Sequence, residues 1–120
     1  MKQLKLTLLL MTCVILQYGC TNDSTSDLIN LTVDDVTYTN SVKSIIDNNC
    51  VVCHAATPVN GAPMSLVTYE NVKDAVLTRG LLNRISRPQG AAGMMPNGGT
   101  RLPQAKIDQI SQWAQNGMPQ

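Results

Sequence analysis

Five consecutive residues, Cys50-Val51-Val52-Cys53-His54, carry the most specific chemistry in this sequence. Two thiols three positions apart can each form a thioether bond to one vinyl group of a haem, and the imidazole that follows can then ligate the iron. His54 is the only histidine in the 120 residues. Other uses of a Cys-x-x-Cys pair ask for a different context. A thioredoxin-like redox pair sits beside a βαβ pattern, and no strand–helix–strand alternation surrounds residues 50–54. A structural zinc site takes four ligands, usually from two separated pairs, and Cys50 and Cys53 have no second Cys/His pair to complete them. A plain disulfide between them would leave His54 without a role.

A haem iron held by His54 has one more axial position, and with no second histidine the natural donor is a methionine thioether. Downstream of the N-terminal segment the candidates are Met64, Met94, Met95 and Met118. Met95 is the first choice, because it directly precedes Pro96 in a long loop and Pro96 stiffens the backbone just past the sulfur. Met94 is the second. Met64 and Met118 read as gap-filling core residues. Arg84, Arg87 and Arg101 are candidates to pair with the haem propionates, since a guanidinium fork matches a carboxylate. A solvated surface role is the competing reading for each.

The elements that must position these groups are helical. Thr39 or Asn40 can cap a helix to about Asn49 whose inner face carries Val42, Ile45 and Ile46. Pro58, Asn60, Gly61 and Pro63 make residues 55–64 a loop. A second helix starts after Ser65 or Thr68, runs from Tyr69 to about Leu77 and ends at Gly80. A short helix is expected over 81–86. Residues 87–101 hold Pro88, Gly90, Gly93, Pro96, Gly98 and Gly99, a density of breakers that excludes a regular element. Pro103 fits the first turn of a last helix with Ile107, Ile110, Trp113 and Ala114 as its apolar stripe and Gly117 as its stop. Trp113 is expected to anchor that helix against the first.

The N-terminus reads as an export signal. Lys2 and Lys5 precede an apolar run over residues 6–16, too short to span a bilayer, which ends at Gln17-Tyr18-Gly19-Cys20. A small residue directly before a cysteine at the end of such a run resembles a bacterial lipoprotein signal. That resemblance implies that Cys20 is lipidated and becomes the mature N-terminus; Gln17 departs from it, standing where an aliphatic residue is usual. Cys13 is a weaker alternative, and an ordinary cleaved signal another. Residues 1–19 are thus a signal peptide, and 20–37, rich in Ser, Thr, Asn and Asp, a flexible tether. The domain proper spans 38–120. Its composition has no Phe and, past the signal, only Tyr38, Tyr69 and Trp113 as aromatics. A haem would supply the large apolar body that the side chains lack. Removing Lys2 and Lys5 from nine basic residues leaves seven against eight acidic, a net charge of −1, which excludes a nucleic-acid footprint.

An N-terminal helix, Cys-x-x-Cys-His, Met95-Pro96 and a C-terminal helix with an aromatic together resemble the class I cytochrome c family. With Leu66-Val67-Thr68-Tyr69-Glu70-Asn71-Val72 and Arg84-Ile85, residues 38–119 look like its small single-haem bacterial lipoproteins. The resemblance implies an all-α cytochrome c fold, three to four short helices around one covalently attached haem c, with first and last helices crossing closely. It implies attachment outside the cytoplasmic membrane. It also implies that the proximal histidine donates its other ring N–H to a loop carbonyl, near Pro58 or Pro63. Asn97 departs from many relatives, which have a second proline there.

The expected function is a non-enzymatic monohaem electron carrier in a membrane-associated respiratory or redox chain, exported to the periplasmic or cell-envelope side and anchored by lipid. Cys50 and Cys53 would bind the haem, with His54 and Met95 on the iron. Its partners would be a redox donor and acceptor. The alternative is a haem-based ligand sensor or small haem enzyme with an open or labile sixth position. A third reading is a non-haem lipoprotein in which Cys50 and Cys53 are merely structural.

Overall fold

Thr37 starts the first helix of the computed structural model, which describes residues 36–120. The expected signal peptide 1–19, the anchor residue Cys20 and residues 21–35 of the tether lie outside the described residues. Thr37 Oγ1 accepts from the Asn40 amide at 3.2 Å, and the Asn40 side chain accepts from the Thr37 amide at 2.8 Å. This reciprocal box satisfies two backbone donors that a helix start leaves orphaned. The cap thus falls two residues before Thr39. The reason is packing: Tyr38, Ser41, Val42, Ile45 and Ile46 are all buried and follow the i, i+3, i+4 rhythm of one helix face, so Tyr38 must already be helical. Val36 is fully buried. The last two residues of the expected tether, Val36 and Thr37, therefore belong to the fold.

The first turn, Tyr38–Val42, is wound as a π-helix and continues without a break into the α-helix Lys43–Asn49 (α1). The second helix, α2, is Tyr69–Thr78. Thr68 caps it by accepting from the Asn71 amide at 3.2 Å, and Glu70 lies in its first turn, where the helix dipole favours a negative charge. Gly80 follows with φ +67°, the left-handed conformation that glycine adopts without a Cβ clash. It turns the chain into α3, Leu81–Ser86. The last helix, α4, is Gln104–Gln115 and begins just past Pro103. All described elements are helices; no strand occurs among the described residues. No helix among them is long and apolar enough to cross a membrane.

The Tyr38–Val42 turn packs on α4, α3 packs on α4, and α2 packs on α3. Ile107, Ile110 and Trp113 form the buried stripe of α4; Ala114 is only half-buried. Trp113 is fully buried against Tyr38, with ring centroids 6.0 Å apart. Tyr69 completes a three-ring cluster, 5.4 Å from Tyr38 and 6.2 Å from Trp113, both edge-on. The chain end closes over this cluster. The Pro119 carbonyl accepts from the Tyr38 amide at 2.9 Å and from Trp113 Nε1 at 2.7 Å, and Tyr69 OH donates to the Met118 carbonyl at 2.8 Å. These bonds tie the first helix, the second and the last together.

Candidate functional site

Cys50 stands at the C-terminal end of α1, and the chain keeps turning through the motif. The Cys50 amide donates to the Ile46 carbonyl at 2.8 Å; the Cys53 and His54 amides both donate to the Cys50 carbonyl, at 3.1 and 2.9 Å. Positions 50, 53 and 54 therefore share one side of this turn, by the same i, i+3, i+4 logic as a helix face. The following loop folds back on the motif. The Val59 amide donates to the Cys53 carbonyl at 2.9 Å, and the Leu66 amide to the His54 carbonyl at 2.8 Å.

His54 is buried, and its Nδ1 lies 2.8 Å from the Met64 carbonyl oxygen. A carbonyl can only accept, so Nδ1 carries the hydrogen. In the neutral ring Nε2 is then the nitrogen with a free lone pair, the form a metal requires. The accepting carbonyl follows Pro63 directly, at the Pro63 end of the expected range and away from Pro58. Asn60, in the left-handed region at φ +53°, directs its side-chain amide to Cys53 Sγ at 3.6 Å. Sequence reasoning read residue 60 only as a loop former; the Asn-Gly step just past the motif was the available signal.

Cys50, Cys53 and His54 line one cleft together with Leu66, Leu81, Arg84, Met95 and Pro96. Its volume is about 470 Å³, within the roughly 300–1,000 Å³ typical of cofactor sites. Among the described residues of its lining, Arg84 is the one Lys, Arg, Asp or Glu side chain. Met95 enters from the 87–101 segment, half-buried against the core. Its amide donates to the Arg84 carbonyl at 3.1 Å. Met94, the second-choice ligand, is buried but borders a separate small cavity formed within its own loop. Met64 and Met118 pack against the core, and each also lends its carbonyl to a side-chain hydrogen bond.

The three arginines part company. Arg84 reaches the cleft, while Arg87 and Arg101 are not among its lining residues. Arg87 is engaged with Asn83 Oδ1 and the Ala92 carbonyl. Arg101 binds the Arg87 and Leu102 carbonyls and Gln104 Oε1. Both guanidiniums thus hold the protein's own loop.

Cys50 and Cys53 carry free thiols. Burial pushes the Cys50 thiol up from 9.0 to about 11, so it stays protonated at neutral pH. A redox-active Cys-x-x-Cys needs the opposite, a thiolate stabilised by a helix N-terminus or a nearby cation, whereas Cys50 sits at a helix C-terminus. Among the described residues no three His, Cys, Asp or Glu side chains converge on a point where a metal ion could sit. Tetrahedral zinc requires such convergence. A haem requires the reverse, with sulfurs at the macrocycle's edge and the histidine nitrogen at its centre. The donor set fits a covalent haem: two free thiols and an imidazole whose Nδ1 faces the Met64 carbonyl share one cleft with a methionine.

No family model matches the chain, nor does any curated protein or solved structure.

Proposed function

We propose that the protein is a monohaem c-type cytochrome, an exported and membrane-tethered carrier of single electrons. The observation that carries this reading is the meeting of Cys50, Cys53, His54 and Met95 in one cleft, with His54 Nδ1 committed to the Met64 carbonyl. Cys50 and Cys53 would hold the haem through thioether bonds, and His54 Nε2 and the Met95 sulfur would take the two axial positions. Bound haem c supplies the one-electron iron couple. The Met64 carbonyl orients the imidazole through Nδ1, and such a partner would fix the ring that holds the iron. Leu66 and Leu81 give the cleft its apolar wall, and a low-dielectric surround of this kind is one of the means by which a protein tunes the potential. Cys20 would carry the lipid anchor, and donor and acceptor redox proteins would dock where the cleft opens to solvent.

A haem stain after denaturing electrophoresis of the full chain expressed with an export and attachment system tests the covalent bond. A stained band that disappears in Cys50→Ser/Cys53→Ser is expected; an unstained wild-type band refutes haem attachment. Reduced protein should show a low-spin c-type spectrum that Met95→Ala alters. Carbon monoxide should bind the reduced wild type slowly. Rapid binding at neutral pH would point instead to a ligand sensor or haem enzyme with an open sixth position.

A further inference from the structure

Residues 87–101 contain no regular secondary structure, yet Met95 must be presented at one place if it is to bind iron. The loop is closed at its base. Arg101 Nε donates to the Arg87 carbonyl at 3.0 Å, and Gln89 bridges the same ends, accepting from the Arg101 amide at 2.6 Å and donating to the Gly99 carbonyl at 3.0 Å. A long segment whose ends are held together in this way is an Ω-type loop. Its far side is held as well. The Arg87 guanidinium is braced on Asn83 Oδ1 of α3 through Nε at 3.2 Å and Nη2 at 2.9 Å, and its Nη1 donates to the Ala92 carbonyl. Arg84 Nη1 reaches the next carbonyl, Gly93, at 3.4 Å.

Gly93 makes this convergence feasible. Its φ is +73°, and a Cβ there would stand 2.5 Å from Arg87 Nη1 and 3.1 Å from Arg84 Nη1. A side chain at 93 would strain the left-handed backbone and crowd the Arg87 guanidinium, which would have to shift. The anchorage also extends to the last helix, because Arg101 Nη2 donates to Gln104 Oε1 at 2.8 Å and Gln104 Nε2 to Asp108 Oδ1 at 2.8 Å. None of the three arginines is ion-paired with a described carboxylate within salt-bridge reach. Their donors are spent on main-chain carbonyls and neutral side chains.

We propose that Arg87, Gln89 and Arg101 form a clamp that positions Met95, with Gly93 as the space it needs, so that these residues decide whether the sixth iron position stays closed. This rests on the reading of Met95 as axial ligand. Arg87 links α3 to Ala92, and Arg101 with Gln89 holds the loop ends; Met95 lies between these attachments and is itself bonded to the Arg84 carbonyl. Release of the clamp would loosen Met95 while leaving the 50–54 turn and the His54–Met64 bond in place.

The test uses the purified full-length holoprotein, read in two independent ways. Amide hydrogen exchange at Met94 and Met95 reports loop opening, with Ile110 and Trp113 as core references. The rate of carbon monoxide binding to the reduced protein reports access to the sixth position. Arg87→Gln should accelerate both loop exchange and carbon monoxide binding by roughly tenfold, the effect of losing a hydrogen bond from a charged donor, with exchange at Ile110 and Trp113 unchanged. Arg87→Lys should behave like Arg87→Gln, because an ammonium cannot replace the fork that spans Asn83 and Ala92. Gly93→Ala should also accelerate loop exchange, through backbone strain and crowding of Arg87 together, and Gln89→Ala carries the test if Arg87→Gln does not fold. Wild-type loop exchange and carbon monoxide rates in these variants overturn the proposal. So does acceleration of loop and core amides together, which would mark Arg87 as merely structural. A wild type without stained haem, or a Met95→Ala spectrum identical to wild type, defeats the electron-carrier reading itself and the clamp's role with it.

Discussion

In one region Tyr38, Tyr69 and Trp113 pack ring against ring, sealed by hydrogen bonds to the Met118 and Pro119 carbonyls. In another, residues 50–66 and 87–101 surround a cleft, held by main-chain turns and by Arg87, Gln89 and Arg101. The first buries large apolar surfaces and owes its stability to packing, at roughly 25 cal/mol for each Å² removed from water. The second shares the core through Leu66 and Leu81 but is organised by directional bonds worth about 1 kcal/mol each. The three aromatic side chains of the described residues all stand at the helix crossing. The contrast is a division of labour: one region makes the domain fold, and the other presents ligands that the proposed haem would lock.

The sharpest attempt to break this division is Trp113→Ala. Truncating a fully buried Trp should cost about 3–5 kcal/mol, enough to unfold much of the population and take the cleft with it. Far-UV circular dichroism under urea measures this without the lost fluorophore. Survival of the cleft region in this variant would show that it folds independently.

A smaller effect is expected at the cleft in the haem-free chain. Burial raises the Cys50 thiol from 9.0 to about 11, so the folded state holds that proton more tightly than the unfolded one. The contribution is fully present below pH 9 and is lost as pH rises from about 9 to 11, on the order of 2–3 kcal/mol in all. Urea midpoints across that range should fall in the haem-free chain and fall less in Cys50→Ala. With Cys50 in a thioether the proton is gone and its share of the drop should vanish. Burial also raises Tyr38, the largest influence on it, partly offset by Lys43. Its share is separated by Tyr38→Phe.

Tyr38→Phe probes the aromatic region more gently. Its hydroxyl is buried without a hydrogen-bond partner, so removing it should raise stability by about 1 kcal/mol at neutral pH. A loss of stability would mean that the hydroxyl is satisfied in solution. The smallest effect belongs to Lys43→Ala. The Lys43–Asp47 pair is 2.5 Å apart but exposed on α1. Exposed pairs of this kind contribute little, and the urea midpoint should not move beyond error.

The helices were legible because their signals are local. Gly80 and Pro103 fall at helix boundaries as their backbone restrictions demand, and 81–86 is helical as expected. The start of the first helix was misplaced, because Thr37, Thr39 and Asn40 are all competent caps and only the burial of Tyr38 chooses among them. The loop arginines were read for their charge, as propionate partners. Arg87 and Arg101 instead meet carbonyls on their own loop, which no spacing rule marks.

The sequence by itself determined which groups stand together in the motif, since Cys50, Cys53 and His54 lie within five residues and their relation follows from one turn of backbone. It also determined the helical class, through apolar rhythm and breakers. Only the tertiary structure decided that Met95 rather than Met94 lines the cleft with the motif, that His54 donates to the Met64 carbonyl, and that Arg84 alone of the three arginines reaches the cleft. These choices depend on which segments, ten or more residues apart in the chain, come to lie side by side, and that is settled by packing and loop closure rather than by any local preference.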